Sequence, residues 1–194
     1  MGTKEKALSV LMREGEKTAT ELAERLKITR QAVWKLLKKL IGEEIIISRQ
    51  LGSRQKSINL FSLNLKNPLS KKTLSLILTK EAMENGRWMG NFSELEKMSN
   101  FVLLFGSILT NPKQANDIDI LVISERKYFR KIQENILEIQ KVQSKKIRAI
   151  ELTNEEFFKE LKNKNKAYLD ALKKGVILFG QENFIDEMEK LNGN

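Results

Sequence analysis

Residues 101–123, FVLLFGSILTNPKQANDIDILVI, contain two apolar runs separated by a polar stretch. The runs have the length and composition of buried β-strands, and the Gly106-Ser107 pair indicates a turn followed by a loop. The second run begins with Asp117 and Asp119, which flank an isoleucine. This stretch therefore predicts a strand, a Gly-Ser turn, a loop and a second strand.

The two aspartates are predicted to point the same way, because alternate residues of a strand share a face. Two carboxylates on one face repel each other unless a cation lies between them, so Asp117 and Asp119 indicate a divalent-metal site. The nearby Gly106 and Ser107 offer backbone N–H groups and a hydroxyl, which suit a phosphate. The pattern indicates phosphoryl or nucleotidyl transfer. The alternative is an acidic loop that merely solvates the end of a β-α-β segment.

The spacing of Gly106-Ser107 and Asp117-Ile118-Asp119 resembles the signature of the polymerase-beta-type nucleotidyltransferases, and most of all that of their minimal nucleotidyltransferase branch. The resemblance covers residues 101–181. It implies that Asp117 and Asp119 are catalytic and hold Mg²⁺. It also implies that Gly106 and Ser107 bind the β- and γ-phosphates, and that the substrate is ATP or another NTP.

Members of that superfamily with a third carboxylate carry it on the neighbouring strand, where it completes a second metal site. The corresponding strand here is KKIRAIELT, in which Glu151 is the only acid. Glu151 is therefore the candidate third catalytic residue. Because Glu151 lies close to the end of this strand, Arg148 or Ala149 is the alternative occupant of that position, and transfer would then be slow or absent.

The composition narrows the chemistry further. The 194 residues include no cysteine and no histidine, which excludes disulfides, thiolate nucleophiles, a Ser-His-Asp triad and histidine metal cages. The length suits one large or two small domains, and a hydrophobic content of 41% supports a packed core. No apolar run approaches the length of a membrane span, so we expect a cytoplasmic protein with no membrane partner.

The positive charge is unevenly distributed. The chain carries a formal net charge of +10, and residues 1–66 alone hold fourteen Lys or Arg against seven Glu, a net +7. An excess of this size attracts phosphate-rich partners. Nucleic-acid binding is therefore expected in the N-terminal third.

Three helical patterns and a basic hairpin follow one another in residues 1–66. Thr18 and Glu21 match a capping box at the start of the second helix, and Thr29 is the predicted cap of the third. The segment TATELAERLKITRQAVWKLLKKL, residues 18–40, resembles the core of the winged helix-turn-helix domain of prokaryotic regulators.

That resemblance implies binding to double-stranded DNA, with the third helix in the major groove. The candidate contacts are Arg30, Gln31, Lys35 and Lys38 on the third helix, and Arg49, Arg54 and Lys56 on the basic hairpin, which forms the wing. Trp34 is expected to pack against the wing. The alternative is a winged helix that mediates only protein contacts. A homodimer on paired half-sites is a further possibility.

The predicted fold class is α+β, with the winged helix-turn-helix followed by a small polymerase-beta-type domain whose helices cover one face of a short mixed sheet. Pro68 breaks the second wing strand. The predicted domains are therefore residues 1–66, a helical connector over 67–100, and a transferase domain over 101–194.

The leading functional hypothesis is a DNA-binding protein whose second domain transfers NMP to a hydroxyl of a protein, an RNA or a small molecule. The behaviour of the minimal branch implies an antitoxin-like role, in which the acceptor is a partner toxin. The alternative is a transcriptional regulator whose degenerate transferase domain senses nucleotide.

Overall fold

The computed structural model describes residues 2–52 and 57–192, the side chain of Asn192 excepted. Contacts within the chain divide it into two units, residues 1–77 and 78–194. The division falls within a long helix, α4 (Pro68–Glu84), which contributes residues to both units. Within the described ranges, none of the helices combines the length and the apolar character needed to cross a membrane.

The first unit packs helices against a small antiparallel sheet with the strand order β1-β3-β2. Its elements are α1 (Thr3–Glu14), β1 (Lys17–Thr18), α2 (Ala19–Leu26), α3 (Arg30–Gly42), β2 (Ile46–Leu51), β3 (Ile58–Leu63) and the start of α4. The predicted helices and the two wing strands are confirmed, and β1 is an addition. A strand of two residues is too short to leave a pattern in the sequence.

Capping residues fix the start of α2 and the turn between α2 and α3. Thr18 Oγ1 accepts a hydrogen bond from the backbone N–H of Glu21, whose carboxylate accepts one from the Thr18 N–H at 2.7 Å. Lys27 adopts a left-handed conformation with φ of 54°, and Thr29 Oγ1 accepts from the Ala32 N–H. The predicted caps are confirmed. They orient α3 with Val33, Leu37 and Leu40 in the core and its basic residues in solvent.

The second unit is built on a mixed sheet with the strand order β6-β5-β4-β7. The β4–β5 and β4–β7 pairs are antiparallel, and β5–β6 is parallel. Its elements are α5 (Gly86–Asn91), a 3-10 helix (Ser93–Met98), β4 (Phe101–Phe105), α6 (Ser107–Thr110), β5 (Asp117–Ile123), a 3-10 helix (Arg126–Tyr128), α7 (Phe129–Val142), β6 (Lys146–Leu152), α8 (Asn154–Lys162), α9 (Lys166–Lys174), β7 (Val176–Phe179) and α10 (Gln181–Asn192).

Helices cover both faces of this sheet. On one face, Ile118 and Ile120 of β5 belong to a core that includes Ile132 of α7. On the other face, the ring of Phe101 lies 5.5 Å from that of Phe157 in α8 and 5.4 Å from that of Phe184 in α10. The expectation of helices on one face was wrong, because the uninterrupted apolar runs of β4 and β5 need cover on both sides.

Residues 86–98 are part of the core of the second unit. Trp88, Phe92, Leu95 and Met98 are buried in the same cluster as the β5 isoleucines. The sequence predicts that these residues belong to a connector that ends at residue 100, whereas in the structure they pack against one face of the sheet and cover it. Their apolar spacing is irregular because they are spread over two short helices, so no single period marks them as core.

Candidate functional site

The two aspartates begin β5, where they share one face and are half-buried. Because β4 and β5 are antiparallel, the end of β4 lies beside the start of β5, and Phe105 is the register partner of Asp119. Gly106 and Ser107 follow Phe105 directly. The topology thus brings the Gly-Ser turn and both aspartates to one place on the sheet, as the sequence predicts; their chemical roles stay predictions.

Gly106 leaves no room for a side chain beside Asp119. A Cβ built at position 106 would lie 2.4 Å from Asp119 Oδ2, and the backbone has φ of +85°, a region that favours glycine. Any side chain here would displace the carboxylate or the turn. Ser107 follows as the first residue of the one-turn helix α6 and is exposed. The turn is therefore fitted to the Asp119 carboxylate.

Arg148 is the basic partner of the two aspartates. It lies opposite Asp119 in the parallel β5–β6 register, and its Nη2 is 2.9 Å from Asp117 Oδ2. Burial raises the pKa of Asp119 above its usual value, the charge of Asp117 adds to the rise, and Arg148 opposes it. The site therefore holds two carboxylates and one guanidinium.

Glu151 does not join this site. In the register, Lys146 and Arg148 lie opposite Asp117 and Asp119, so Glu151 lies on the other face of the sheet, opposite Val122. Its carboxylate accepts a hydrogen bond from Gln133 of α7 at 2.9 Å. The prediction that Glu151 is the third catalytic residue does not fit this geometry. The expected position is occupied by Arg148, the alternative that the sequence left open.

The donor set fits a single divalent cation. Asp117 and Asp119 supply the carboxylate oxygens that Mg²⁺ prefers. No cluster of three or more His, Cys, Asp or Glu suited to a metal ion occurs in residues 2–52 and 57–192. A site for two ions bridged by three acids is therefore not present in the described chain.

A cavity of about 340 Å³ opens beside the Gly-Ser turn. Gly106 and Ser107 form one wall, and Asp170 and Lys174 of α9 line another. No sequence pattern marked these two residues, because charged positions four apart on a short helix are usual for a solvated face. They become candidates only because β7, which directly follows α9, pairs with β4 and so places α9 beside the Gly-Ser turn.

The candidate DNA-binding residues of α3 lie together on its exposed face. Arg30, Gln31, Lys35 and Lys38 are all exposed. In the described part of the chain, the three basic side chains have no carboxylate partner. Their charge is therefore available to phosphate.

The wing residues differ in their surroundings. Glu16 binds the Arg49 guanidinium, with its carboxylate oxygens 2.8 and 3.1 Å from Nε. This pairing lowers the pKa of Glu16 through the hydrogen bond and offsets the charge of Arg49. Trp34 packs edge-on against Phe61 of β3 at 5.5 Å, as predicted. The candidates Arg54 and Lys56 lie outside the described residues.

Two family models match the chain. Residues 2–47 match the family described as winged helix-turn-helix DNA-binding, and residues 90–178 match the family described as nucleotidyltransferase domain. Both matches confirm the fusion predicted from the sequence. A comparison with curated proteins finds no match.

Two solved structures are similar to about half of this chain. The adhesin competence repressor AdcR of Streptococcus pyogenes is 21% identical over 48% of this chain and 66% of its own, with a TM-score of 0.37. An apo-form variant of ZitR from Lactococcus lactis is 31% identical over 49% of this chain and 65% of its own, with a TM-score of 0.32. This chain thus spans just under two thirds of each, and at these TM-scores the likeness carries no functional conclusion.

Proposed function

We propose that this chain, in which a winged helix-turn-helix domain precedes a nucleotidyltransferase domain, is a DNA-binding regulator that responds to a magnesium-bound nucleotide. Double-stranded DNA would bind at the exposed basic face of α3. ATP or another NTP would bind at the junction of β4 and β5. The observation that carries the second site is the fit of Gly106 against Asp119, which joins a phosphate-binding turn to a metal-binding carboxylate.

The residues of the second site have separate roles in holding a nucleotide. Asp117 and Asp119 would hold Mg²⁺, which when bound neutralises charge on the phosphates. Ser107 offers its hydroxyl and backbone N–H to phosphate oxygens. Lys174, across the cavity, offers a cation to the same anionic ligand.

The absence of a third acid favours sensing over rapid transfer. In transfer, an acceptor hydroxyl oxygen bonds to the α-phosphorus while the bond to pyrophosphate breaks, and the hydroxyl proton must leave. The residue opposite Asp119 is a guanidinium, which cannot take up that proton. In the described chain, β6 places no carboxylate on the face of the two aspartates, and Asp170, the further acid that lines the cavity, lies on α9 in another wall. With no acid on the strand beside the proposed metal site to accept the proton, transfer should be slow.

A second candidate function is NMP transfer to a hydroxyl of a partner protein, such as a toxin, or of an RNA. The paired aspartates and the match to a nucleotidyltransferase domain favour it. The two candidates share the nucleotide site, and they differ in whether the bound nucleotide is consumed.

One experiment separates the candidates. Purified protein would be incubated with Mg²⁺, α-labelled ATP and a lysate of its source cells, beside Asp119→Ala. Mg²⁺-dependent ATP binding in equilibrium dialysis, lost in the variant and without labelled product, is the result expected for the sensor. Label on one protein or RNA, absent with the variant, would establish the transferase. If the wild type shows neither ATP binding nor transfer of label, the proposed nucleotide site is rejected.

A further inference from the structure

The Asp117–Arg148 ion pair brings a permanent positive charge into the proposed nucleotide site. We infer that Arg148 serves as a built-in second cation, so that the site takes one divalent ion and binds it together with the nucleotide rather than alone. This inference rests on the proposed nucleotide binding and deepens it. It concerns the order and coupling of the two ligands.

The position of Arg148 sets up competition with a free divalent ion. Asp117 and Asp119 are the two carboxylates that would hold the ion, and Arg148 already contacts Asp117 at 2.9 Å. A divalent ion that arrives alone must displace the guanidinium from Asp117, and the displaced charge then lies beside the ion without a partner. Repulsion between them lowers the affinity for the free ion.

A triphosphate removes this conflict. The Arg148 side chain is 60% exposed, whereas that of Asp117 is 19% exposed, so the arginine is the partner with freedom to move. The planar guanidinium binds phosphate oxygens in a bidentate manner. When Arg148 turns to a phosphate, both carboxylates become available to the ion. The nucleotide and the ion should therefore bind with positive coupling.

A purely structural role for this ion pair is less well supported. The β6 strand is already joined to β5 by an unbroken register from Asp117–Lys146 to Ile123–Leu152. A largely exposed ion pair adds little to such a ladder. Arg148 is therefore not needed to hold the edge strand.

The test measures metal binding rather than turnover. Free Mn²⁺ would be titrated by electron paramagnetic resonance into the full chain, with and without an ATP analogue whose α,β-bridge is a methylene group. Arg148→Ala and Arg148→Gln are the test variants. Arg130→Ala is the matched control, because Arg130 is a 92% exposed arginine on α7 with its own glutamate partner.

We expect the wild type and Arg130→Ala to bind Mn²⁺ weakly alone and at least fivefold more tightly with the analogue, at the lower end of common coupling factors. Both Arg148 variants should bind Mn²⁺ alone up to about fivefold more tightly, the upper end of the range for an exposed ion pair. They should also lose most of the coupling to the nucleotide. Thermal unfolding of each variant would verify that it is folded.

Two results would overturn the inference in different ways. If the Arg148 variants match the wild type in both titrations, the built-in cation is wrong while the nucleotide site stands. If the folded wild type binds neither Mn²⁺ nor the analogue, the proposed nucleotide site fails and the inference fails with it.

Discussion

At the scale of single residues, the tight fit of Gly106 beside Asp119 constrains the proposed nucleotide site. We predict that Gly106→Ala abolishes Mg²⁺-dependent nucleotide binding. The new Cβ would enter the space of Asp119 Oδ2, and the positive φ adds strain of roughly 1–3 kcal/mol. Isothermal calorimetry with Mg²⁺ and ATP, together with thermal unfolding, measures both effects.

Gly90→Ala is the matched control for this substitution. Gly90 lies within α5, and a Cβ there meets no atom within 4 Å. This variant should keep full binding and unchanged or slightly higher stability. Equal nucleotide binding by both variants would show that the turn does not hold the phosphates.

Loss of charge at Glu151 and at Asp119 should have different effects on binding. We predict that Glu151→Gln binds Mg²⁺ and nucleotide as the wild type does, because Glu151 lies on the far face of the sheet with Gln133. Asp119→Asn should lose binding by at least tenfold, since it removes one of the two carboxylates proposed to hold the metal. Calorimetric titration of the two variants measures this. A loss of binding in Glu151→Gln would return that residue to the site.

The sequence predicted correctly that Asp117 and Asp119 share a face, but it did not predict that Glu151 lies on the other one, and the reason is physical. That Asp117 and Asp119 share a face follows from alternation within one strand. Whether Glu151 shares that face depends on the register between two strands, and a shift by one residue reverses it. No pattern within β6 fixes that register, so the question needed the structure.

At the scale of elements, α3 is predicted to carry most of the affinity for DNA. Replacing Arg30, Lys35 and Lys38 by alanine should weaken binding. It should also reduce the slope of log affinity against log salt by about 0.9 for each phosphate that these side chains neutralise. Fluorescence anisotropy with a labelled duplex at several salt concentrations measures both.

The control must change the net charge equally. Suitable residues are three exposed lysines of the second unit, namely Lys131, Lys159 and Lys166. Their replacement should leave the salt slope close to that of the wild type. Equal losses from the two triple variants would mean that net charge, rather than α3, drives the binding.

The capping box of α2 should make stability depend on pH. Hydrogen bonds from the backbone and hydroxyl of Thr18 lower the pKa of Glu21 below its ordinary 4.5. The stabilisation is therefore complete above pH 4.5 and is lost as the pH falls through the lowered pKa. Glu21→Gln should unfold more easily at pH 7 and lose less on acidification. Glu24→Gln, on the same helix but outside the cap, should follow the wild type in urea titrations between pH 3 and 7.

The helices with caps and clear periodicity were the elements that the sequence predicted best. Like the capping box of α2, a capping box formed by Thr153 and Glu156 is present, and α8 begins directly after Thr153. In contrast, β1 and α5 are too short to show a period, and they exist because a partner strand or a sheet face stabilises them. Tertiary contacts therefore decide the elements that local patterns leave open.

For the whole molecule, the two candidate functions predict different behaviour towards DNA. A nucleotide-responsive regulator should change its DNA affinity when Mg²⁺ and ATP are added, by roughly the 5- to 150-fold common for coupled sites. Anisotropy titrations with and without Mg²⁺ and ATP test this, with Asp119→Asn as the variant that should not respond. An unchanged affinity in the wild type, despite measured nucleotide binding, would favour the transferase.

The burial of Trp88, Phe92, Leu95 and Met98 has a practical consequence for anyone who expresses the second unit alone. A fragment that begins at residue 101 would leave the apolar face of β4 and β5 partly bare, and such surfaces promote aggregation. A fragment that begins near residue 85 keeps the two short helices that cover this face. Recombinant yield and light scattering of the two fragments should therefore differ sharply, although they differ in length by only about sixteen residues.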